Sequence, residues 1–457
     1  MSLSTISTLV GTFAFLLVLS SAKRYEPNWE SLDSRPNPKW FDDAKIGIFI
    51  TWGMYAVPAY QGPWFQYWWH TGRKNETEFM KGNYPPGWTY ADFAPDFTTW
   101  FYDPDYWADV FQDSGIKYTV FVTKHHDGYT LWPSNYSWNW NSMDVGPKRD
   151  LVGEFVTSIR NRTDIVVGLY HSLFEFYNPL FLQDQKNGYK THQFAKQKSM
   201  PELYELVNTY KPEVIWSDGD WMTTDDYWNA TEFIAWLFND SPVKDTVLVN
   251  DRWGNNIKCK HGSYLTCFDQ YNPKVLQTKK WESGITVDQC WSYRREARAI
   301  DYLPIDEIMT RLIQIVSCGG NVLVDIGPNK DGMIPPIEEE RLRQMGAWLK
   351  VNGDAIYKTK PWMYQNDTEN SNVWYTVSKY QDPPVVYAMH LGWPEKDTIV
   401  LGSPITSSST QVTLLGETVP IKWTSGGATG LTIQVPVIIP TAEKLIAWTF
   451  AITNLKN

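Results

Sequence analysis

Short apolar runs recur between Trp40 and Tyr357, and their alternation with amphipathic stretches constrains this chain more than any other feature. The runs are Ile46–Ile50, Tyr118–Val122, Ile165–Leu169, Val214–Ile215, Val247–Val249 and Val322–Ile326. Each is too short for a core helix and apolar on successive residues, as a strand buried on both faces must be. Between them lie helical patterns at Pro104–Asp113, Leu151–Ile159, Met200–Tyr210, Tyr227–Leu237, Ile305–Val316 and Glu338–Val351. Strands alternating with helices predict an α/β fold on a parallel sheet. Periodicity alone also admits a doubly wound sheet, but the length favours a TIM-like (β/α) barrel. No Gly-x-Gly-x-x-Gly follows the first run to suggest a nucleotide site.

After Tyr357 the helical period disappears. Trp374–Val377, Val385–Met389, Thr398–Leu401, Gln411–Leu415, Gly430–Val435 and Lys444–Phe450 read as strands, with Gly426-Gly427 a candidate hairpin turn. This predicts a C-terminal β-sandwich. At the other end, Leu9–Leu19 is apolar and followed by Ser20-Ser21-Ala22. That run is shorter than the roughly 20 residues that span a bilayer, and it reads as a secretory signal. The expected organisation is a signal peptide at 1–22, a catalytic barrel at 23–358 and a β-sandwich at 359–457.

Composition narrows the partners. Net charge is −10 and the basic residues are scattered, so no nucleic-acid stripe is present. After removal of the signal, no segment is long and apolar enough to suggest a membrane span. Asn75, Asn135, Asn161, Asn229, Asn239 and Asn366 begin Asn-x-Ser/Thr sequons, in keeping with the secretory route, although Pro242 follows the serine of the Asn239 sequon. Of four cysteines, Cys259 and Cys267 flank a short loop and could pair in an oxidising compartment, while Cys318 lies in an apolar stretch and reads as a buried thiol. The chain has 25 tryptophans, an excess that serves packing and also offers flat faces on which sugar rings stack.

Four runs end in polar and aromatic residues: Thr51-Trp52-Gly53, Thr123-Lys124-His125-His126-Asp127-Gly128, Tyr170-His171-Ser172 and Trp216-Ser217-Asp218. In a βα barrel such ends converge on one mouth. A carboxylate beside indole there suits the cleavage of a glycosidic bond, because it meets developing positive charge next to a face that holds the ring. A capped strand end with a solvated Asp-Gly turn is the plainer reading of Asp218-Gly219 alone. His125-His126 lacks metal-ligand spacing, and neighbours on a strand point to opposite faces, so at least one is expected to pack behind the site. No metal and no cofactor are expected.

Jointly, these motifs resemble those of the α-L-fucosidases of glycoside hydrolase family twenty-nine. The resemblance runs from about Pro36 to the C-terminus. It rests on Trp40-Phe41 with Lys45-Ile46-Gly47-Ile48-Phe49, Thr123 to Gly128, Trp216 to Gly219, Asn250-Asp251-Arg252-Trp253-Gly254, and Gly319-Gly320-Asn321 with Ile326-Gly327-Pro328 and Asp331-Gly332. It implies a retaining hydrolase acting on fucosylated glycans or glycoproteins, lysosomal or extracellular, and is compatible with a homo-oligomer. The family nucleophile falls on Asp218; Asp220 is a rival lying past the glycine. Thr51, Trp64, His125, His126, Tyr170 and Trp216 fall on or beside positions that line the sugar pocket. Three carboxylates compete as general acid/base: Asp269, Glu282 and Glu296. Trp281 beside Glu282 would desolvate it and raise its pKa, whereas Lys279 and Lys280 would oppose that.

The chain departs from the family at Thr51, where relatives carry His, and at Pro63, where relatives carry Glu. Both family residues hydrogen-bond fucose hydroxyls, and each such charge-assisted contact contributes roughly 1.5–3 kcal/mol. Relatives also carry Cys at the position of Gly284. Two readings follow: an active retaining α-L-fucosidase, or a fucosidase-like glycan-binding protein with little or no turnover. A barrel hydrolase for another deoxy- or galacto-sugar fits the same residues.

Overall fold

A computed structural model describes residues 23–457; the expected signal peptide at 1–22 lies outside the described residues. Seven parallel strands form a curled sheet: β1 (Ile46–Ile50), β2 (Tyr118–Lys124), β3 (Gly168–Ser172), β4 (Val214–Asp218), β5 (Leu248–Val249), β6 (Trp281–Thr286) and β7 (Gly320–Ile326). Their order is β5-β4-β3-β2-β1-β7-β6. The two edge strands are joined through an irregular segment. Ser263 N donates to Val249 O (3.0 Å), Leu265 N to Lys280 O (3.0 Å) and Glu282 N to Leu265 O (2.8 Å). This segment does the work of an eighth stave, so the parallel edges are satisfied without a regular strand.

The expected apolar runs form strands, with one shift. The third strand begins at Gly168 instead of Ile165, and Val166 makes only an isolated bridge to Tyr118. The helices α1 (Pro104–Ser114), α2 (Leu151–Arg162), α3 (Met200–Tyr210), α4 (Ala230–Asn239), α5 (Ile305–Ser317) and α6 (Pro336–Asn352) match the amphipathic stretches. The stretch beginning at Tyr227 is broken at Asn229, which takes a left-handed φ of 49° and separates a short turn from α4. Between β5 and α5 the only helical element among the described residues is one 3₁₀ turn, at Ala299–Asp301. The βα alternation therefore lapses in this quarter, and loops take its place.

The C-terminal part is antiparallel, with a five-stranded and a three-stranded sheet. Their facing residues, among them Trp362, Tyr375, Leu401, Ile433 and Phe450, form a separate core. It is fastened to the barrel by polar links. Trp348 Nε1 donates to Ala447 O (3.1 Å), Thr376 Oγ1 to Ala355 O (2.6 Å), and Lys379 Nζ to Asp43 Oδ1 (2.5 Å). Among the described residues, no helix is long and apolar enough to cross a membrane.

Gly346 lets α6 cross α1 at backbone distance, because any Cβ there would collide with the Asp113 carbonyl oxygen. Gly346→Val should therefore cost about 1–3 kcal/mol or more and lower the thermal midpoint by several degrees. Lys350→Ala, on the exposed side of the same helix, should leave it unchanged. Calorimetry of the two variants checks this.

Candidate functional site

The parallel ladder brings the strand ends level. Ile50 pairs with Ile326, Lys124 with His171 and Ser172 with Asp218. Over these ends opens a cavity of about 500 Å³. Thr51, Trp64, His125, His126, Tyr170 and Trp216, all singled out from the sequence, line it. Asp218 and Asp269 are the carboxylates among its lining residues.

Asp218 closes β4 and is almost fully buried. Its Oδ1 accepts from Arg252 Nη1 (3.1 Å) and its Oδ2 from the Tyr170 hydroxyl (2.9 Å). Arg252 Nη2 donates to Asp269 Oδ1 (2.5 Å), and the guanidinium lies 4.7 Å from the centroid of the Trp216 ring. One cation thus holds both cavity carboxylates. Burial opposes its charge, but Asp269 and Asp218 outweigh burial and hold its pKa above the ordinary value. Arg252 was visible in the sequence only as part of a motif; nothing local announced its reach to two acids.

His125 and His126 both line the cavity, contrary to the expectation that one would pack behind it. The strand stops at Lys124, and the two histidines sit in the turn that follows, where alternation no longer applies. Their rings lie 4.1 Å apart. Ser172 donates its single hydroxyl proton to Phe174 O (2.6 Å), so at 2.6 Å it can only accept from His126 Nδ1–H. The other nitrogen, Nε2, then carries a lone pair and stands 3.6 Å from Asp218 Oδ2. Burial, reinforced by Lys124 and Arg252, pushes the His126 pKa down to about 3, so the ring is neutral. A ligand hydroxyl can donate to Nε2. Among the described residues His125 Nδ1 is buried without a partner, and burial holds its pKa well below the usual value.

Behind the histidines lies a buried ionic cluster. Lys124 Nζ reaches Glu202 (2.7 Å) and Glu175 (3.1 Å), Lys198 Nζ reaches Glu202 (2.6 Å), and His171 donates from Nε2 to Glu202 (3.0 Å). It ties the end of β2 to β3 and α3. Lys124, part of the His-His motif, is therefore a support rather than a cavity group.

The remaining candidates lie elsewhere. Glu282 is the second residue of β6 and faces Asn321 near the start of β7, at the end of the barrel opposite the mouth. There it accepts from the Tyr118 hydroxyl (2.6 Å) and Trp216 Nε1 (3.0 Å) and does not line the cavity. Burial raises its pKa to about 7, although the hydrogen bonds from Tyr118 and Trp216 and the charge of Lys280 pull it down. Glu296 accepts from Gln61 N (2.9 Å) behind the rim and does not line the cavity either. Asp220 is buried, with one oxygen unpartnered among the described residues, and does not line the cavity. Thr51 donates its hydroxyl to Asp325 Oδ1 (2.6 Å), and Pro63 lines the cavity with no polar group. Trp221, in the turn after β4, also lines the cavity; Gln61, Trp68, Gln289, Cys290 and Trp291 complete much of the wall and were not foreseen. The disulfide Cys259–Cys267 forms as the spacing suggested, and Cys318 is a buried thiol.

Comparison with known proteins agrees with this geometry. A family model described as Alpha-L-fucosidase matches residues 13–354, and one described as Alpha-L-fucosidase C-terminal domain matches residues 365–453. An alpha-L-fucosidase of Branchiostoma floridae is 54% identical over 434 residues, covering 93% of this chain and 95% of that protein. The tissue alpha-L-fucosidase of Homo sapiens is 52% identical over 439 residues, covering 95% and 93%. The crystal structure of Thermotoga maritima alpha-fucosidase in complex with a mechanism-based inhibitor superposes with a TM-score of 0.79 at 30% identity, covering 94% of this chain and 100% of that one.

The raised pKa of Glu282 has a consequence for stability. Between the ordinary value of 4.5 and about 7, the unfolded chain is ionised there while the folded chain keeps its proton. Stability is therefore lost as pH rises through this window, by roughly 3 kcal/mol at most. Glu282→Gln should flatten the dependence, read as the difference in thermal midpoint between pH 4.5 and pH 7.5 for the two proteins.

Proposed function

The chain belongs to the α-L-fucosidase family of glycoside hydrolases, and from that premise we propose that Asp218 is its nucleophile and Asp269 its general acid/base. The observation that carries the pairing is Arg252, whose guanidinium binds both carboxylates inside the one cavity. Acids held on neighbouring nitrogens of a single group are close enough to flank one glycosidic bond, as a retaining double displacement requires. Glu282 and Glu296 have no comparable access to the cavity.

In this reading, an Asp218 oxygen attacks the anomeric carbon while Asp269 protonates the departing glycosidic oxygen. The bond from sugar to leaving group breaks, and a fucosyl ester forms. Asp269 then takes a proton from water, the water oxygen attacks the same carbon, and the ester bond breaks to release fucose and the free carboxylate. Arg252 and the Tyr170 hydroxyl spread the charge returning to Asp218. The substrate is a terminal α-L-fucose on a glycan or glycoprotein. His126 Nε2 accepts a sugar hydroxyl, Trp64 and Trp216 provide apolar faces, and His125 and Tyr170 complete the wall.

The same reading takes residues 1–22 as a cleaved secretory signal, 23–358 as the catalytic barrel and 359–457 as the β-sandwich. The change from parallel to antiparallel pairing after residue 358 supports the second boundary. A secretory signal fits a lysosomal or extracellular enzyme.

Asp218→Ala should abolish release of p-nitrophenol from its α-L-fucoside, and azide should restore it with formation of a fucosyl azide. A wild-type protein that binds fucose yet turns over no fucoside would instead make this a glycan-binding protein, the outcome that Thr51 and Pro63 favour. Asp269→Asn should cut kcat/KM at least about 100-fold for a phenyl fucoside and far less for a 2-chloro-4-nitrophenyl fucoside, whose leaving group needs no proton. Steady-state assays on the pair decide it.

A further inference from the structure

We propose that Asp251 and Thr266 are positioning residues for the acid/base carboxylate, setting Asp269 both through the main chain of the disulfide loop and through Arg252. The proposal rests on the assignment of Asp269 made above and explains how that group is held. Asp251 is completely buried and does not line the cavity. It follows β5 by one residue and does not pair with its neighbour Arg252. Its carboxylate turns instead to the loop. Oδ2 accepts from Cys259 N (2.7 Å) and Cys267 N (3.3 Å), and Oδ1 accepts from Thr266 N (2.9 Å) and the Thr266 hydroxyl (2.6 Å). One carboxylate therefore grips both ends of the loop that the Cys259–Cys267 bond closes. Both cysteines have left-handed φ, 66° and 46°. Residues with a Cβ adopt that region reluctantly, and here the same acceptor satisfies both of their N–H groups.

Asp269 lies two residues beyond Cys267. Its side chain is about half exposed, and among the described residues its side-chain partner is Arg252. Arg252 is oriented in turn by Thr266. Having given its proton to Asp251, the Thr266 oxygen accepts from Arg252 Nε at 2.9 Å. Three guanidinium nitrogens are thus spoken for, by Thr266, Asp218 and Asp269. The main chain before Asp269 and the cation facing it trace back to the same buried carboxylate.

The test uses kcat/KM, which reports the first, acid-assisted step, on the phenyl and 2-chloro-4-nitrophenyl fucosides. Thr266→Val replaces the hydroxyl by a methyl of similar size and carries the test should Asp251→Asn fail to fold. Thr266→Val should lower kcat/KM about 10-fold or more for the phenyl substrate and less than about 3-fold for the activated one, with Thr266→Ser close to wild type. Equal losses on both substrates for Thr266→Val and Asp251→Asn, or failure of Thr266→Ser to restore the phenyl activity, would overturn the proposal. Asp269→Asn run alongside separates the two assignments. If it discriminates between the substrates and Thr266→Val does not, the positioning role falls and the acid/base assignment stands. If it does not discriminate, both fall.

Discussion

The site is organised around a buried cation that must not lose its partners. Arg252 sits over Trp216 with Asp218 on one nitrogen and Asp269 on the next. An isolated charge in such a place is costly, and removing one member of a buried pair typically destabilises by about 3–5 kcal/mol. The arrangement is tolerable because each group arrives from a different part of the ring. Asp218 comes from the end of β4, Arg252 from the turn after β5, and Asp269 from the loop that follows the irregular stave. The electrostatic demand of Arg252 and the closure of the barrel are in this sense the same constraint. If the edge between β5 and β6 opened, the second carboxylate would leave with it.

A second ionic cluster does for the other half of the mouth what Arg252 does for this one. Lys124, Lys198, Glu175, Glu202 and His171 lie at the ends of β2 and β3 and on and beside α3, out of reach of the cavity. Burial works against the ionised form of Glu202, but the two lysines hold its pKa well below the usual range. The network fixes the turn in which His125 and His126 stand, and Lys124 also helps keep His126 neutral. A neutral ring with its Nδ1 proton committed to Ser172 presents one defined acceptor. An imidazolium would present only donors and would add positive charge where the reaction develops it.

How far the sequence could be read follows from these same residues. Runs such as Ile46–Ile50 and Val322–Ile326 announce strands because both faces of a parallel sheet are buried. Asp218 was legible because it ends such a run. β6 was not, because Trp281-Glu282-Ser283-Gly284-Ile285-Thr286 carries polar residues into the barrel interior. Glu282 is tolerated there by Tyr118 and Trp216, partners more than 60 residues away in sequence. Its carboxyl is desolvated, with Trp216 rather than the adjacent Trp281 as its indole partner, and a pKa argument is blind to which end of a strand a residue occupies. His125 and His126 were misjudged for a related reason, since period-two alternation holds only to the last paired residue. Arg252 and the Asp251 clamp depend on contacts 8 to 34 residues distant, which no local pattern encodes.

The departures at Thr51 and Pro63 gain meaning from where they lie. Thr51 follows β1 and is tied to β7, with its N–H on Ile326 O and its hydroxyl on Asp325. Asp218 and Arg252 come from β4 and the turn after β5, beyond β2 and β3 in the sheet order, whereas Asp269 stands beside β6, where Gln270 N donates to Gly284 O (3.1 Å). Thr51 and the pair of Asp218 with Arg252 therefore stand on different parts of the cavity wall. Thr51 has turned its only proton inward to satisfy a carboxyl whose pKa burial raises well above the usual range. It retains lone pairs toward the cavity but can no longer donate. Under the proposed fucose-binding role of this cavity, fewer donors there would loosen the hold on the sugar in the ground state. Interactions made equally in ground and transition states govern KM, whereas those made to the developing charge govern kcat. Under the proposed roles of Asp218, Asp269 and Arg252, the departures at Thr51 and Pro63 fall on the first kind and leave the second in place.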